Sequence, residues 1–212
     1  MQRTIKVMLI GAVALMLLLP NSSLAKGITG GLKIGMNSAD LHGEDIKEME
    51  EDLGVELKSK WGLCAGGFIR FNISETFVIQ PEVLYTMKGA KFEETIDGET
   101  MKFEMNLSYL EIPVLVKFMI PTPGGVKPNL YAGPALAIEL SSKTKLVYAG
   151  ETEEEDIEET KDTDFGLIIG AGVDFGNLTV DLRYVLGLTT IFDEEDEDVK
   201  NGVISLIVGY SF

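Results

Sequence analysis

Charged side chains fall singly, among glycines and small residues, in stretches that are otherwise apolar: Lys33, Arg70, Glu82, Lys88, Glu111, Lys117, Glu139, Asp174, Asp181 and Arg183. Paired carboxylates in an enclosed site can exchange protons with a substrate, but acid–base catalysis also needs a partner within hydrogen-bond reach. The sole histidine, His42, lies in a polar loop, and the sole cysteine, Cys64, lies among small neighbours. No nucleophile–base spacing accompanies the carboxylates, so an enzyme is not expected. Ion pairing is the chemistry these residues support, because a charge enclosed without a partner is costly.

A second group is acidic throughout. The runs ETEEEDIEE at 151–159 and DEEDED at 193–198 make Glu153, Glu154, Glu155, Asp156, Asp193, Glu194, Glu195 and Asp196 the only candidates for holding Ca²⁺ or Mg²⁺, which prefer carboxylate oxygens. Neither run has the glycine and spacing of an EF-hand loop. A solvated, mutually repelling surface is the expectation, with no metal and no cofactor. The formal net charge of −16 excludes nucleic acid as a partner, since phosphate needs clustered lysine and arginine.

The elements that must position the single charges alternate with a period of two. In the stretch Asp164 to Thr189, Phe165, Leu167, Ile169, Ala171, Val173 and Phe175 share one face before Gly176-Asn177. Leu178, Val180, Leu182, Tyr184, Leu186 and Leu188 share one face after it. The opposite faces carry Gly166, Gly170, Gly172, Asp174, Asp181, Arg183 and Gly187. Successive side chains of a strand point to opposite sides, so the pattern is a hairpin with one apolar and one small or charged face.

The same alternation predicts strands near 28–37, 61–72, 77–88, 103–118, 129–141 and 203–212. Short links (73–76, 121–127, 176–177) alternate with long ones (39–60, 93–102, 142–163, 190–201) that hold most of the acidic residues. A short helical turn is expected within Ile46 to Leu57. In 103–118 the apolar parity changes after Tyr109, and an inserted residue there, a β-bulge, would restore it. Pro113 falls on the polar face and would cost a ladder bond. Trp61, Phe92, Phe103 and Phe165 fall near the long-loop ends; Phe71, Phe77, Phe118, Phe175, Tyr210 and Phe212 fall near the short-turn ends.

Met1 to Ala25 has the form of a cleaved secretory signal, with Arg3 and Lys6, the apolar run Val7 to Leu19, and Ser23-Leu24-Ala25 as its cleavage site. The mature domain would then be 26–212, exported and without a disulfide. Apolar faces on every strand, glycine-rich opposite faces, alternating link lengths and two aromatic levels together predict one fold class: an all-β, eight-stranded antiparallel up-and-down transmembrane β-barrel. Hydrocarbon offers no hydrogen-bond partners, so the first and last strands must pair. The alternative is a soluble, secreted, lipocalin-like binding barrel with its apolar faces inside.

The series GLKIGMNSADLHGED (31–45), IQPEVLYTMKGAKF (79–92), LSYLEIPVLVKF (107–118), YAGPALAIEL (131–140) and DFGLIIGAGVDFGNLTVDLRYVLGLTTI (164–191) resembles the PorT-like outer-membrane β-barrel family of Bacteroidota and related bacteria. That resemblance implies an eight-stranded barrel in the cell outer membrane of a Gram-negative-type bacterium, surrounded by lipid. Its founding member is tied to protein secretion, which makes an accessory part of an envelope secretion system, working through envelope partners, one alternative. The terminal Tyr210-Ser211-Phe212 resembles the aromatic signal read by the barrel-insertion machinery. The leading functional expectation is a small integral outer-membrane protein with a structural or surface-interaction role, presenting acidic extracellular loops.

Overall fold

In the computed structural model, residues 27–53, 57–96, 99–148, 151–157, 160–192 and 198–212 are described. They form ten strands and one helix: β1 (Ile28–His42), α1 (Glu44–Leu53), β2 (Lys58–Asn72), β3 (Phe77–Lys88), β4 (Ala90–Ile96), β5 (Glu99–Met119), β6 (Val126–Tyr148), β7 (Glu151–Asp156), β8 (Thr163–Phe175), β9 (Leu178–Gly187) and β10 (Lys200–Ser211). The proposed signal, 1–25, lies outside the described residues. No described helix is long and apolar enough to cross a membrane.

All pairings are antiparallel, and eight of the strands close into a ring in the order β1, β2, β3, β5, β6, β8, β9, β10. Closure is made where β1 meets β10, with Gly31 opposite Ser211 at one end and His42 opposite Lys200 at the other. The ring therefore leaves neither of these strands with an unpaired edge. Gly176-Asn177 makes the expected tight turn, with Gly176 at φ +59°. The Asn177 carbonyl and side-chain amide both bond the backbone of Ser211, tying the turn to the last strand.

Side-chain facing is inside-out relative to a water-soluble protein. Ile34 is 64% exposed and Leu182 56%, with Leu63, Leu130, Ile169, Leu206 and their neighbours also outward. Lys33, Glu82, Lys88, Glu111, Lys117, Asp174, Asp181 and Arg183 are buried in the interior. This arrangement is the reverse of the soluble lipocalin-like alternative, which needs the apolar faces inside.

Several sequence expectations change here. The parity break in β5 is not a bulge that restores facing: Leu107 and Tyr109 are buried on the same side as Glu111, Leu115 and Lys117. Register does shift at Ser108/Tyr109, but Ser108 pairs with Ser141 and Tyr109 with Glu139, so the extra residue is Leu140 of β6. The apolar parity changes because the interior itself becomes apolar toward this end of the ring.

The second change concerns the links at 93–102 and 142–163, which are largely strand. β4 continues β3 past a kink at Gly89 (φ +125°), keeping the same register against β5. β6 runs on to Tyr148 and turns back as β7. Backbone pairing does not stop where the apolar face stops. Oppositely charged rows support the extension: Lys102 lies 3.5 Å from Glu93, Lys143 lies 3.8 Å from Asp156, and Lys145 faces Glu154.

The third change concerns two aromatics. Phe103 has the inward parity of Leu107 and stands opposite Phe92, so neither belongs to an outward aromatic level. Trp61 and Phe165 remain outward at the long-hairpin end; Phe71, Phe77, Phe118, Phe175, Tyr210 and Phe212 do so at the other. Phe77 and Phe118 meet edge-to-face at 5.4 Å between centroids.

Pro113 sits inside a paired strand at a gap in the ladder. The β3–β5 register is interrupted between Pro81↔Val114 and Leu84↔Glu111, and the β5–β6 register between Pro113↔Ala135 and Val116↔Ala132. Those breaks remove the demand for an N–H that proline lacks.

α1 begins earlier than the sequence suggested and ends before Leu57. Glu44 and Asp45 fill its first turn, where negative charge complements the exposed N–H groups. Leu57 returns to the helix by donating its amide to Glu50 Oε1 at 2.8 Å.

Candidate functional site

The interior is layered, and each layer is set by which inward positions of neighbouring strands share a level. Nearest the short turns, Arg70 of β2 bonds Asp174 of β8 at 2.8 Å and Gln80 of β3 at 2.7 Å. One layer further in, Lys33 of β1 donates to Glu82 and to Asp181, both at 2.7 Å. Arg183 of β9 reaches Glu82 at 2.9 Å, and Lys117 of β5 reaches Asp181 at 3.4 Å. These five side chains come from four strands, and Lys117 and Asp181 are 0% exposed.

The cations also lie on rings. Lys33 and Arg70 sit over Phe68 at 5.3 and 5.1 Å, and Lys117 and Arg183 over Tyr131 at 4.9 and 5.7 Å. Phe68, buried on the inward face of β2, is thus a platform for two charges. Gly170 gives Tyr131 its space: a Cβ there would lie 2.5 Å from the ring.

Above this cluster comes an apolar layer of Ala39, Leu115, Tyr131, Ala135, Ile168, Val185 and Val203. Ile168 and Val185 belong to the β8–β9 hairpin, on the face that sequence reading filled with glycines and charges alone. A second polar layer comes next, with Lys88 at 3.1 Å from Glu111 and 3.6 Å from Asp164. Asn201 donates to Asp164 at 2.9 Å and Asn37 to Thr86 at 2.7 Å. Asp164 was missing from the sequence-level set because it opens its strand beside an acidic link; its parity with Asp174 was the available signal. Glu139, expected inward, is half-buried and accepts from Ser142 at 3.0 Å. The outermost layer is again apolar, with Leu41, Ala90, Leu107, Tyr109, Ala137, Ile191 and Val199.

The inner layers occupy the middle of the ring with paired charges and packed hydrocarbon. An eight-stranded closed sheet has room for its own inward side chains and little else. Chemically, the polar layers hold paired charge and join strands distant in sequence.

The acidic runs are placed differently. Glu153, Glu154, Glu155 and Asp156 are exposed on β7. Strand alternation sends Glu153 and Glu155 to one face and Glu154 and Asp156 to the other. Asp193, Glu194, Glu195 and Asp196 lie outside the described residues. Among the described residues, no three histidine, cysteine, aspartate or glutamate side chains gather as a metal site would require.

At the long-hairpin end, charges fasten the links to one another. Asp198 accepts from the Glu44 amide at 3.3 Å and pairs with Lys200, while its own amide donates to Asp45. The Lys200 hydrogen bond, and after it that from the Glu44 amide, holds the Asp198 carboxyl below its ordinary range. Glu93 is likewise held below the usual carboxylate range, chiefly by Lys91.

Residues 20–193 match the model of the outer membrane protein β-barrel domain. The chain belongs to that family. It is an outer-membrane β-barrel protein, and the eight strands of its ring turn their apolar faces outward. The match stops before β10, the strand that closes the ring. A comparison with curated proteins gives no match. Among solved structures, the attachment invasion locus protein of Yersinia pestis, in complex with the heparin analogue sucrose octasulfate, is 18% identical. That alignment covers 87% of this chain and 99% of the other, with a TM-score of 0.42. Neisserial surface protein A is 16% identical over 88% of this chain and all of its own, with a TM-score of 0.47. The outer membrane protein OprG from Pseudomonas aeruginosa is 14% identical over 87% of this chain and 94% of its own, with a TM-score of 0.43.

Proposed function

We propose that this protein is a small, sealed, non-catalytic membrane anchor that displays charged hairpins and a capping helix at the cell surface. The observation that carries the reading is the facing of the strands: leucine, isoleucine and valine outward, ion pairs inward. The short turns fit the periplasmic side and the long hairpins the cell exterior, as in membrane barrels generally. The layered interior favours anchoring over conduction, and the exposed residues of β4–β7 and α1 favour interaction with other molecules. Planar-bilayer recording tests the sealed interior: reconstituted protein should add no stable conductance above the bare bilayer.

On this reading Met1 to Ala25 is removed on export, and intact mass of the mature protein should begin at Lys26. The acidic hairpin is a solvated charged display, and calorimetric titration of refolded protein with millimolar Ca²⁺ should give no binding heat.

Within the family, the motifs at 31–45, 79–92, 107–118, 131–140 and 164–191 favour a PorT-like kinship. Isolation of native complexes from membranes tests whether that kinship extends to function. A stoichiometric envelope assembly would turn the assignment toward an accessory role in secretion.

A further inference from the structure

The apolar layer at the long-hairpin end does not fill its space. Beside the contact that Ile46 of α1 makes with this layer lies a chamber of about 330 Å³, bounded by Leu41, Ile46, Met49, Ala90, Met105 and Phe192. Its floor is packed by Leu107, Tyr109 and Ile191, each 1% exposed, and beneath them Lys88, Glu111 and Asp164 close the way down. Its roof is α1, which turns Ile46 and Met49 toward the chamber. That roof is fastened at one end through Asp198 and at the other through the Leu57 amide and Glu50.

We propose that this chamber is a receptor site for a compact, uncharged, apolar molecule, and that the site is a dead end and not a conduit. The size argument is direct: an apolar cavity of about 150 Å³ holds one benzene, so this one suits a bicyclic ring or a short branched hydrocarbon. The charge argument selects against anions such as fatty carboxylates. Among the described residues the one ionisable group on the wall is Asp45, itself an acceptor for the Asp198 amide, and Glu44 adjoins it in the first turn of α1. Met49 and Met105, flexible and polarisable, let the walls adapt to ligands of unequal shape. The paired charges below have no use for such a ligand and give it no exit.

The test is ¹⁹F NMR with hexafluorobenzene added to the protein in lipid nanodiscs, against nanodiscs without protein. The expected result is a bound resonance, distinct from the bilayer-dissolved one, that saturates at one probe per chain. Ala90→Phe fills the chamber from the wall and Met49→Trp from the roof, and each should abolish the bound resonance. Glu154→Gln, on the display hairpin, should leave it unchanged. Folding of each variant is checked by its heat-dependent gel mobility; Met49 lies on the helix outside the ring, so that variant reports even if Ala90→Phe does not fold. Only the bilayer resonance in the unsubstituted protein, or a bound resonance that survives a folded filled variant, overturns the proposal.

Discussion

Lys33 lies between two buried carboxylates, Glu82 and Asp181, each at 2.7 Å, with the Phe68 ring beside it. Lys33→Met would leave Glu82 with Arg183 and the Gln80 amide, and Asp181 with Lys117. Removing one partner of a buried pair costs about 3–5 kcal/mol, because the other charge stays in a low-dielectric setting. Urea unfolding of the protein refolded into lipid should show that loss, and Lys33→Met with Asp181→Asn should recover part of it. A second residue-scale test concerns Gly170. Gly170→Val would drive a methyl into the Tyr131 ring and through it disturb Lys117 and Arg183; overpacking of this kind costs about 1–3 kcal/mol. In the Tyr131→Ala background the same substitution should cost much less. Lys33, Arg70, Glu82, Lys117, Asp181 and Arg183 were all legible as inward from parity alone. Their pairing was not, since several strands contribute and no spacing in sequence relates Lys33 to Asp181.

At the scale of elements, α1 and the hairpins decide what the surface presents. Strand β7 and the upper part of β6 were hidden in sequence because they offer no apolar face to read: ETEEED at 151–156 and SSKTK at 141–145 are polar or charged at every position. Period-two reading finds a strand by its greasy face, and beyond the bilayer there is none. The fastening of α1 has a pH dependence whose sign is fixed. Asp198 is held below its ordinary range by Lys200 and the Glu44 amide. Its contribution is therefore fully present above the ordinary aspartate range and lost as pH falls through the lowered value. Hydrogen-exchange protection of the Glu44 amide should stay constant from neutral pH to about 5 and fall in stronger acid, below the ordinary aspartate value of ~3.9. Asp198→Asn should lower that protection at neutral pH without unfolding the ring.

For the whole molecule the deciding contrast is between the outward faces of the strands and the surface beyond them. Leu182 is mid-strand on β9 and faces lipid; arginine there should cost ~2–4 kcal/mol of folding stability in bilayers. Glu154→Arg, on β7, should cost almost nothing. Equal effects at the two sites, measured as shifts in urea midpoint at constant slope, would contradict the inside-out assignment.

The sequence by itself determined that eight apolar faces alternate with glycines and single charges, and that the ends of the chain must meet. It did so because facing in a strand is a local property: the pleat sends each residue to one side or the other whatever lies across from it. Tertiary structure alone decided the layering of the interior, the apolar chamber beneath α1 and the partner of each charge. Those depend on register between strands as far apart as Lys33 and Asp181. A level inside a closed ring is a property of all its strands together, and no single segment carries it.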